Sequence, residues 1–395
     1  MAQANKRKIN LNDVGRMVDR EDKVFETRRP DTLVRTTNFV YDEVVEPPSS
    51  SFLCCAGGRG AYRSIAAGSR LQSAEAPDMD FCADSLIKLT NGVTAYRLTE
   101  PSTTASPEQA DSLPVVVCLH DWTNASYMWA DAVDVLADSE QGPRARVLVF
   151  DFYGRGRSPY IGMPCTLDVF VTQTKELLDF LGLSKVPGGV QLVGFGLGGT
   201  VATGFCAKYP SLASSLTLIS PMGISYMDIE KEETIKKKGT YANYVWRTQR
   251  RKILEEGEMH FNDTSAEAPH RWQIDKQVAM VQWQMENTPG YLDALLSTIR
   301  LFPLRSMEEL YAAIARHPRP VLVLWGDQDQ VTPYEQGVAS MEACFANATI
   351  VDIRDAGHNV ISERFNETMI EVCSFCKEVV ILGVTRKEEE EKTRL

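Results

Sequence analysis

Val190-Gln-Leu-Val-Gly194-Phe-Gly196-Leu-Gly198-Gly199-Thr200 is the stretch that decides the fold. Val190–Val193 is a short apolar run of strand length. The glycines after it form a turn tight enough to pass straight into the helical pattern of Leu197–Tyr209. A strand fed through such a turn into a helix is the building step of a parallel sheet, because parallel neighbours need a crossover between them. The step repeats on both sides. Upstream, Pro114–Leu119 is a continuous apolar run of the kind buried on both faces of a sheet, and Val147–Phe150 follows it. Downstream stand Leu216–Ile219, Val321–Leu324 and Thr349–Ile353, with further helical patterns at Val169–Leu183 and Met307–Arg316. This order predicts the α/β class, with a mostly parallel sheet covered by helices on both faces. Leu86–Leu89 and Val93–Tyr96 flank Thr90-Asn91-Gly92, which predicts a hairpin whose Asn-Gly turn takes positive φ.

Residues 1–80 read as an extension with little sustained periodicity, apart from a short amphipathic helix near Leu11–Phe25. Residues 81–221 and 319–385 then form the two parts of the core. Between Pro221 and Pro320 the alternation stops, and helical runs take over at Tyr241–Glu256, Gln273–Met285 and Tyr291–Leu301. Residues 222–318 are therefore expected to be a helical cap inserted after the sixth strand. Residues 386–395 are a charged tail.

The 395 residues carry 42 basic against 53 acidic side chains, a net charge of −11, which argues against a nucleic-acid binder. No apolar run approaches the length of a membrane span, since the longest, such as Val379–Val384, have strand length. The nine cysteines form no even framework and read as reduced thiols. Cys373 and Cys376 have redox spacing but lie within an apolar helical run, where two small buried hydrophobes are the simpler reading. No secretory signal follows Lys6, Arg7 and Lys8, so the cytoplasm is the expected compartment. Thr393-Arg394-Leu395 raises a peroxisome-type organelle as the alternative, and also fits a terminal peptide for a PDZ-type groove.

Ligands in open α/β sheets bind beyond the carboxyl ends of the strands. Those ends carry His120-Asp-Trp-Thr-Asn-Ala-Ser-Tyr-Met-Trp129, Asp151-Phe-Tyr-Gly-Arg-Gly-Arg-Ser158, Gly194-Phe-Gly196-Leu-Gly198-Gly199, Gly326-Asp-Gln-Asp329-Gln-Val-Thr-Pro333 and Gly357-His358-Asn359. In this order the motifs resemble the α/β-hydrolase superfamily over roughly residues 85–385. They are most similar to the capped branch that contains epoxide hydrolases, dehalogenases and lipases. The resemblance implies an α/β-hydrolase fold and a triad in which Asp329 is the acid and His358 the general base. It also implies an oxyanion hole made by the backbone N–H groups of Trp122 and Leu197. It implies no cofactor and no metal.

Two positions depart from the pattern. The nucleophile position is Gly196, so acyl transfer cannot run through it. Thr200, Cys206, Cys118 and Ser220 are poor substitutes by their places on strand and helix. The residue after His120 is Asp121 where this branch commonly has glycine, and Arg155 or Arg157 are candidates to pair with it.

The expected function is that of an esterase- or lipase-type hydrolase fold, degenerate or non-covalent in action, that binds a small apolar ester-like molecule. In the non-covalent version His358, oriented by Asp329, activates water. The alternatives are a catalytically inactive pseudoenzyme serving as a ligand-binding or protein-interaction module, and a serine hydrolase in which a codon change has put glycine at 196. A protein partner would be held through the N-terminal arm or the C-terminal tail. Met222, Tyr226, Tyr241, Tyr244, Trp246, Trp272, Met280, Trp283 and Met285 give the cap aromatic and thioether surface, suited to packing on the body or to lining an apolar pocket.

Overall fold

The computed structural model describes residues 83–104, 107–224, 261–263, 265, 271–304, 306–317, 319–346 and 348–394. The candidate helices Leu11–Phe25 and Tyr241–Glu256, and the cap residues Tyr226, Tyr241, Tyr244 and Trp246, lie outside them. Eight strands form one sheet: β1 (Ser85–Leu89), β2 (Gly92–Thr99), β3 (Val115–Leu119), β4 (Arg146–Phe150), β5 (Val190–Phe195), β6 (Ala213–Ile219), β7 (Val321–Gly326) and β8 (Thr349–Ile353). Their order is β1-β2-β4-β3-β5-β6-β7-β8. The first two pairings are antiparallel, and every pairing from β4 to β8 is parallel.

The helices in chain order are α1 (Pro107–Ser112), α2 (Ala130–Asp138), α3 (Leu167–Phe180), α4 (Leu197–Lys208), α5 (Arg271–Asn287), α6 (Tyr291–Leu301), α7 (Glu308–Ala315), α8 (Tyr334–Cys344), α9 (Val360–Glu363) and α10 (Phe365–Arg394). α5, α6 and α7 fall between β6 and β7. No described helix is long and apolar enough to cross a membrane.

The apolar run of β3 is explained by its two faces. Val115, Val117 and Leu119 belong to the core on one side of the sheet, and Val116 and Cys118 to the core on the other. Every second side chain changes face, so a strand covered on both sides needs no polar residue. α4 is sandwiched in the same way: every residue from Leu197 to Cys206 is buried. It comes so close to β3 that a Cβ on Gly198 would lie 2.2 Å from the Leu119 carbonyl oxygen.

Two local expectations shift. The hairpin loop is Thr90-Asn91, with Leu89 opposite Gly92. Neither loop residue has positive φ, and Gly92, at φ 153°, opens β2 instead. The helix expected over Val169–Leu183 spans Leu167–Phe180, starting at Thr166, whose side chain accepts from the Val169 N–H. It is stopped by Gly182 at φ 73°, the left-handed conformation that glycine tolerates best. Cys373 and Cys376 lie buried on α10, and burial pushes the Cys373 thiol up to about 12 and Cys376 further. Both therefore behave as apolar side chains rather than as reactive thiolates.

Candidate functional site

Four strand ends converge on one buried cluster. After β7 the chain turns so that Asp329 accepts backbone hydrogen bonds from Val331 (2.8 Å) and Thr332 (2.9 Å) on Oδ1. Its Oδ2 accepts from the Thr332 hydroxyl at 2.7 Å and from His358 Nδ1 at 2.8 Å. Burial alone would raise the Asp329 carboxyl. The His358 charge and the hydrogen bonds of His358 and Thr332 overcome it and hold the group below the usual carboxylate range. Thr332 lies within the strand-end stretch Gly326–Pro333, where sequence alone assigns it no role of its own.

His358 follows β8 and is fully buried, with its ring against Phe195 at 4.9 Å. Burial would lower its pKa, but the Asp329 carboxylate and then Asp121 push it up to about 10. At neutral pH the imidazole is therefore held as a cation between two carboxylates.

The second of these is Asp121. Its Oδ1 accepts the Leu197 backbone N–H at 2.8 Å, and its Oδ2 lies 3.8 Å from His358 Nε2. The two arginines expected as its partners hydrogen-bond other groups. Arg155 donates to the Trp122 and Tyr153 carbonyls and to the Thr298 hydroxyl, while Arg157 reaches the Ala83 carbonyl. His358 is a counter-charge beside Asp121, and Arg155 also feels the Asp121 charge.

Gly196 sits at the sharp turn between β5 and α4 with φ 53° and ψ −115°. A Cβ built there would lie 1.9 Å from Asp121 Oδ1 and 3.2 Å from Asp121 Cβ. The carboxylate thus fills the space that a side chain at 196 would need. A side chain at 196 would require the Asp121 carboxylate to move.

The loop holding Asp121 is rigidly placed. His120 Nε2 accepts from the Phe152 N–H at 2.9 Å, which leaves Nδ1 as the donor to the Asp121 carbonyl at 2.7 Å. Burial pushes the His120 pKa down to about 3, so this ring stays neutral. Asp151 accepts from the Ser126 and Arg157 backbone N–H groups, each at 2.8 Å, tying the loop to the glycine-rich turn. From the helices between β6 and β7, Tyr291 donates its hydroxyl to the Thr123 carbonyl at 2.8 Å. Gln284 donates to the same carbonyl at 3.1 Å and accepts from the Gly156 N–H at 2.7 Å. These residues could not be picked from sequence, since amphipathic helices offer polar side chains at many positions.

The other nucleophile candidates are placed elsewhere. Thr200 gives its hydroxyl to the Met222 carbonyl at 2.6 Å, and Cys118 and Cys206 are buried in the two cores. Ser220 is buried at the end of β6 with φ 40°. Trp122 is buried, and its carbonyl is the acceptor for Arg155. Of the two N–H groups expected to form an oxyanion hole, that of Leu197 is already bonded to Asp121.

Glu363, on α9, is a further group that the motifs did not mark. It accepts from the Gly357 N–H at 3.1 Å and from the Asn262 N–H at 3.0 Å. Burial pushes its pKa up to about 7, those two bonds notwithstanding. It therefore braces the His358 loop against the segment that follows β6.

Comparison with known proteins agrees with this architecture. A family model described as the alpha/beta hydrolase fold matches residues 114–365. Monoacylglycerol lipase ABHD6 of Homo sapiens is 23% identical over 272 residues, 67% of this chain and 76% of its own. Among solved structures, a thermophilic esterase from Thermogutta terrifontis aligns with a TM-score of 0.58 at 23% identity, covering 75% of this chain and 99% of its own. An enol-lactonase from Burkholderia xenovorans LB400 aligns with a TM-score of 0.57 at 18% identity, covering 74% and 99%. With the family model spanning β3 to β8, the elbow and the loops of Asp329 and His358, the chain belongs to the α/β-hydrolase fold family.

Proposed function

We propose that this protein binds a small apolar ester-like molecule on an esterase- or lipase-type frame and does not turn it over through an acyl-enzyme. The observation that carries the reading is the Asp121 carboxylate standing over Gly196. A covalent mechanism needs a nucleophile at the elbow and an open N–H for the oxyanion. Here the first is glycine and the second is bonded to Asp121. The water-activating version is disfavoured as well, because a general base must be unprotonated, and the Asp329 and Asp121 carboxylates beside His358 favour its protonated form.

A plain serine-to-glycine change is disfavoured by the same contact. A serine Cβ at 196 would collide with Asp121 as the loop now stands, so glycine and aspartate belong together. The lipase and esterase relatives support the ester-like ligand class.

The test pairs turnover with binding. The protein is assayed with p-nitrophenyl butyrate and with a fluorophosphonate probe, and its melting is followed with a monoalkyl glycerol ether. Silence in the first two with a rise in Tm in the third is expected. Turnover that disappears in His358→Ala overturns the reading, and an unmoved Tm removes the ligand class.

A further inference from the structure

We propose that Asp121 acts as a built-in product mimic, an internal carboxylate that occupies the oxyanion donor and the face of His358 where the carboxylate of a hydrolysed ester would rest, and so silences the site together with Gly196. The inference rests on the reading above that the site does not perform acyl transfer, and it names the residue responsible.

The geometry has three parts. One carboxylate oxygen takes the Leu197 N–H at 2.8 Å, the donor at the first turn of α4 where an oxyanion would be held. The other faces His358 Nε2 at 3.8 Å, the nitrogen that would exchange a proton with a nucleophile. The same side chain fills the volume above the elbow, 1.9 Å from where any Cβ on residue 196 would stand. A carboxylic acid released at such a site would satisfy the same two groups, one oxygen on the N–H and one toward the imidazolium. The chain supplies that acid itself. Asp329, Thr332 and the elbow are otherwise assembled, so what lies under the carboxylate is a complete frame with its reacting centre covered.

Restoring a nucleophile alone must then fail, because the serine would meet Asp121. Removing Asp121 alone must also fail, because nothing is left to attack. Only the pair Asp121→Gly with Gly196→Ser provides a hydroxyl, a vacant Leu197 N–H and a His358 relieved of one of its two carboxylates. In that variant the serine hydroxyl adds to the ester carbonyl while its proton passes to His358 Nε2. His358 returns the proton to the departing alcohol, and water then releases the acid by the same relay. Starting from the buried cation, His358 must first lose its proton, which the removal of Asp121 favours.

The experiment compares wild type, each single variant and the double variant on p-nitrophenyl butyrate, with fluorophosphonate labelling of residue 196 and with His358→Ala added to the double variant. The double variant should exceed wild type by about 10²–10³-fold, the scale of one oxyanion donor, and lose this with His358→Ala. Each single variant should stay within about tenfold of wild type. A double variant that is folded but silent, or a Gly196→Ser as active as the double, overturns the proposal while leaving a silent wild type as read above. Activity in wild type itself would instead overturn that earlier reading.

Two further measurements do not depend on the double variant folding. Acetate should raise the Tm of Asp121→Gly and leave that of wild type unchanged, since only the variant has the slot vacant. In Asp121→Asn, which keeps the shape, the imidazole of His358 should titrate well below its wild-type value in an NMR pH series. An acetate-insensitive Asp121→Gly, or an unmoved His358 in Asp121→Asn, counts against the product-mimic role.

Discussion

Substituting Gly196 by alanine isolates the steric half of this arrangement, and its cost can be assembled from the structure. The residue has φ 53°, which costs an L side chain about 1–2 kcal/mol. The new Cβ would be 1.9 Å from Asp121 Oδ1, so the carboxylate must move. Overpacking of this kind costs about 1–3 kcal/mol. Displacing the carboxylate from the Leu197 N–H forfeits a hydrogen bond to a charged group, about 1.5–3 kcal/mol. The sum for Gly196→Ala is about 3–6 kcal/mol, allowing for partial relaxation.

In an Asp121→Gly background only the φ cost remains, about 1–2 kcal/mol. Glycine rather than alanine is needed at 121, because the Asp121 Cβ itself stands 3.2 Å from the new atom. A double-mutant cycle by urea denaturation should therefore return a coupling of about 2–4 kcal/mol, with Gly196→Ala less harmful when Asp121 is absent. Additivity within about 0.5 kcal/mol would refute the contact as the reason for glycine at 196.

Glu363 predicts a pH dependence of stability. Its folded pKa, about 7, lies above the ordinary carboxylate value, so its contribution is fully present below about pH 4.5 and is lost as pH rises to 7. Relative to Glu363→Gln, which retains the acceptor for Gly357, wild type should lose about 2 kcal/mol across that window in denaturation midpoints. A flat difference would remove the assignment. Asp329→Ala should destabilise the fold by about 3–5 kcal/mol, because it leaves the His358 cation without its hydrogen-bonded partner; a cost under about 1 kcal/mol would show that the pair is not coupled as described.

The sheet could be read from sequence because burial on both faces leaves a local record. Val115–Leu119 and Val190–Phe195 are apolar throughout, and turn residues bound them, so the class and the order of elements follow from short windows. The Asp329 and His358 loops were legible for a different reason: each motif sits directly after a strand, and strand ends fix their direction. Helix ends were less visible, as at Leu181–Leu183, where apolar residues continue past the point at which Gly182 turns the backbone. Least legible was the relation of Asp121 to Gly196. Each was visible as a departure, but the contact joins loops after two different strands, and the sequence offered only Arg155 or Arg157 as partners for Asp121. The direction of one carboxylate decided it. The brace from Glu363 to Gly357 and the grip of Gln284 on two loops depend in the same way on side-chain reach across elements.

The contact also accounts for an aspartate and a histidine standing paired beside Gly196. If Gly196 marked simple loss, Asp329 and His358 would have no remaining partner to serve. With Asp121 in place, the cluster holds two buried carboxylates, and His358 lies against both, at 2.8 Å from one and 3.8 Å from the other. Removing the imidazolium would leave like charges facing each other with little solvent, a larger penalty than the loss of any single hydrogen bond. His358 is thus the counter-ion that makes Asp121 tolerable, and Asp329 is what keeps that counter-ion charged. A histidine in this position need not report catalysis. Its protonation state distinguishes the roles: a base in waiting must be neutral near pH 7, whereas the ion that binds two carboxylates must be a cation there.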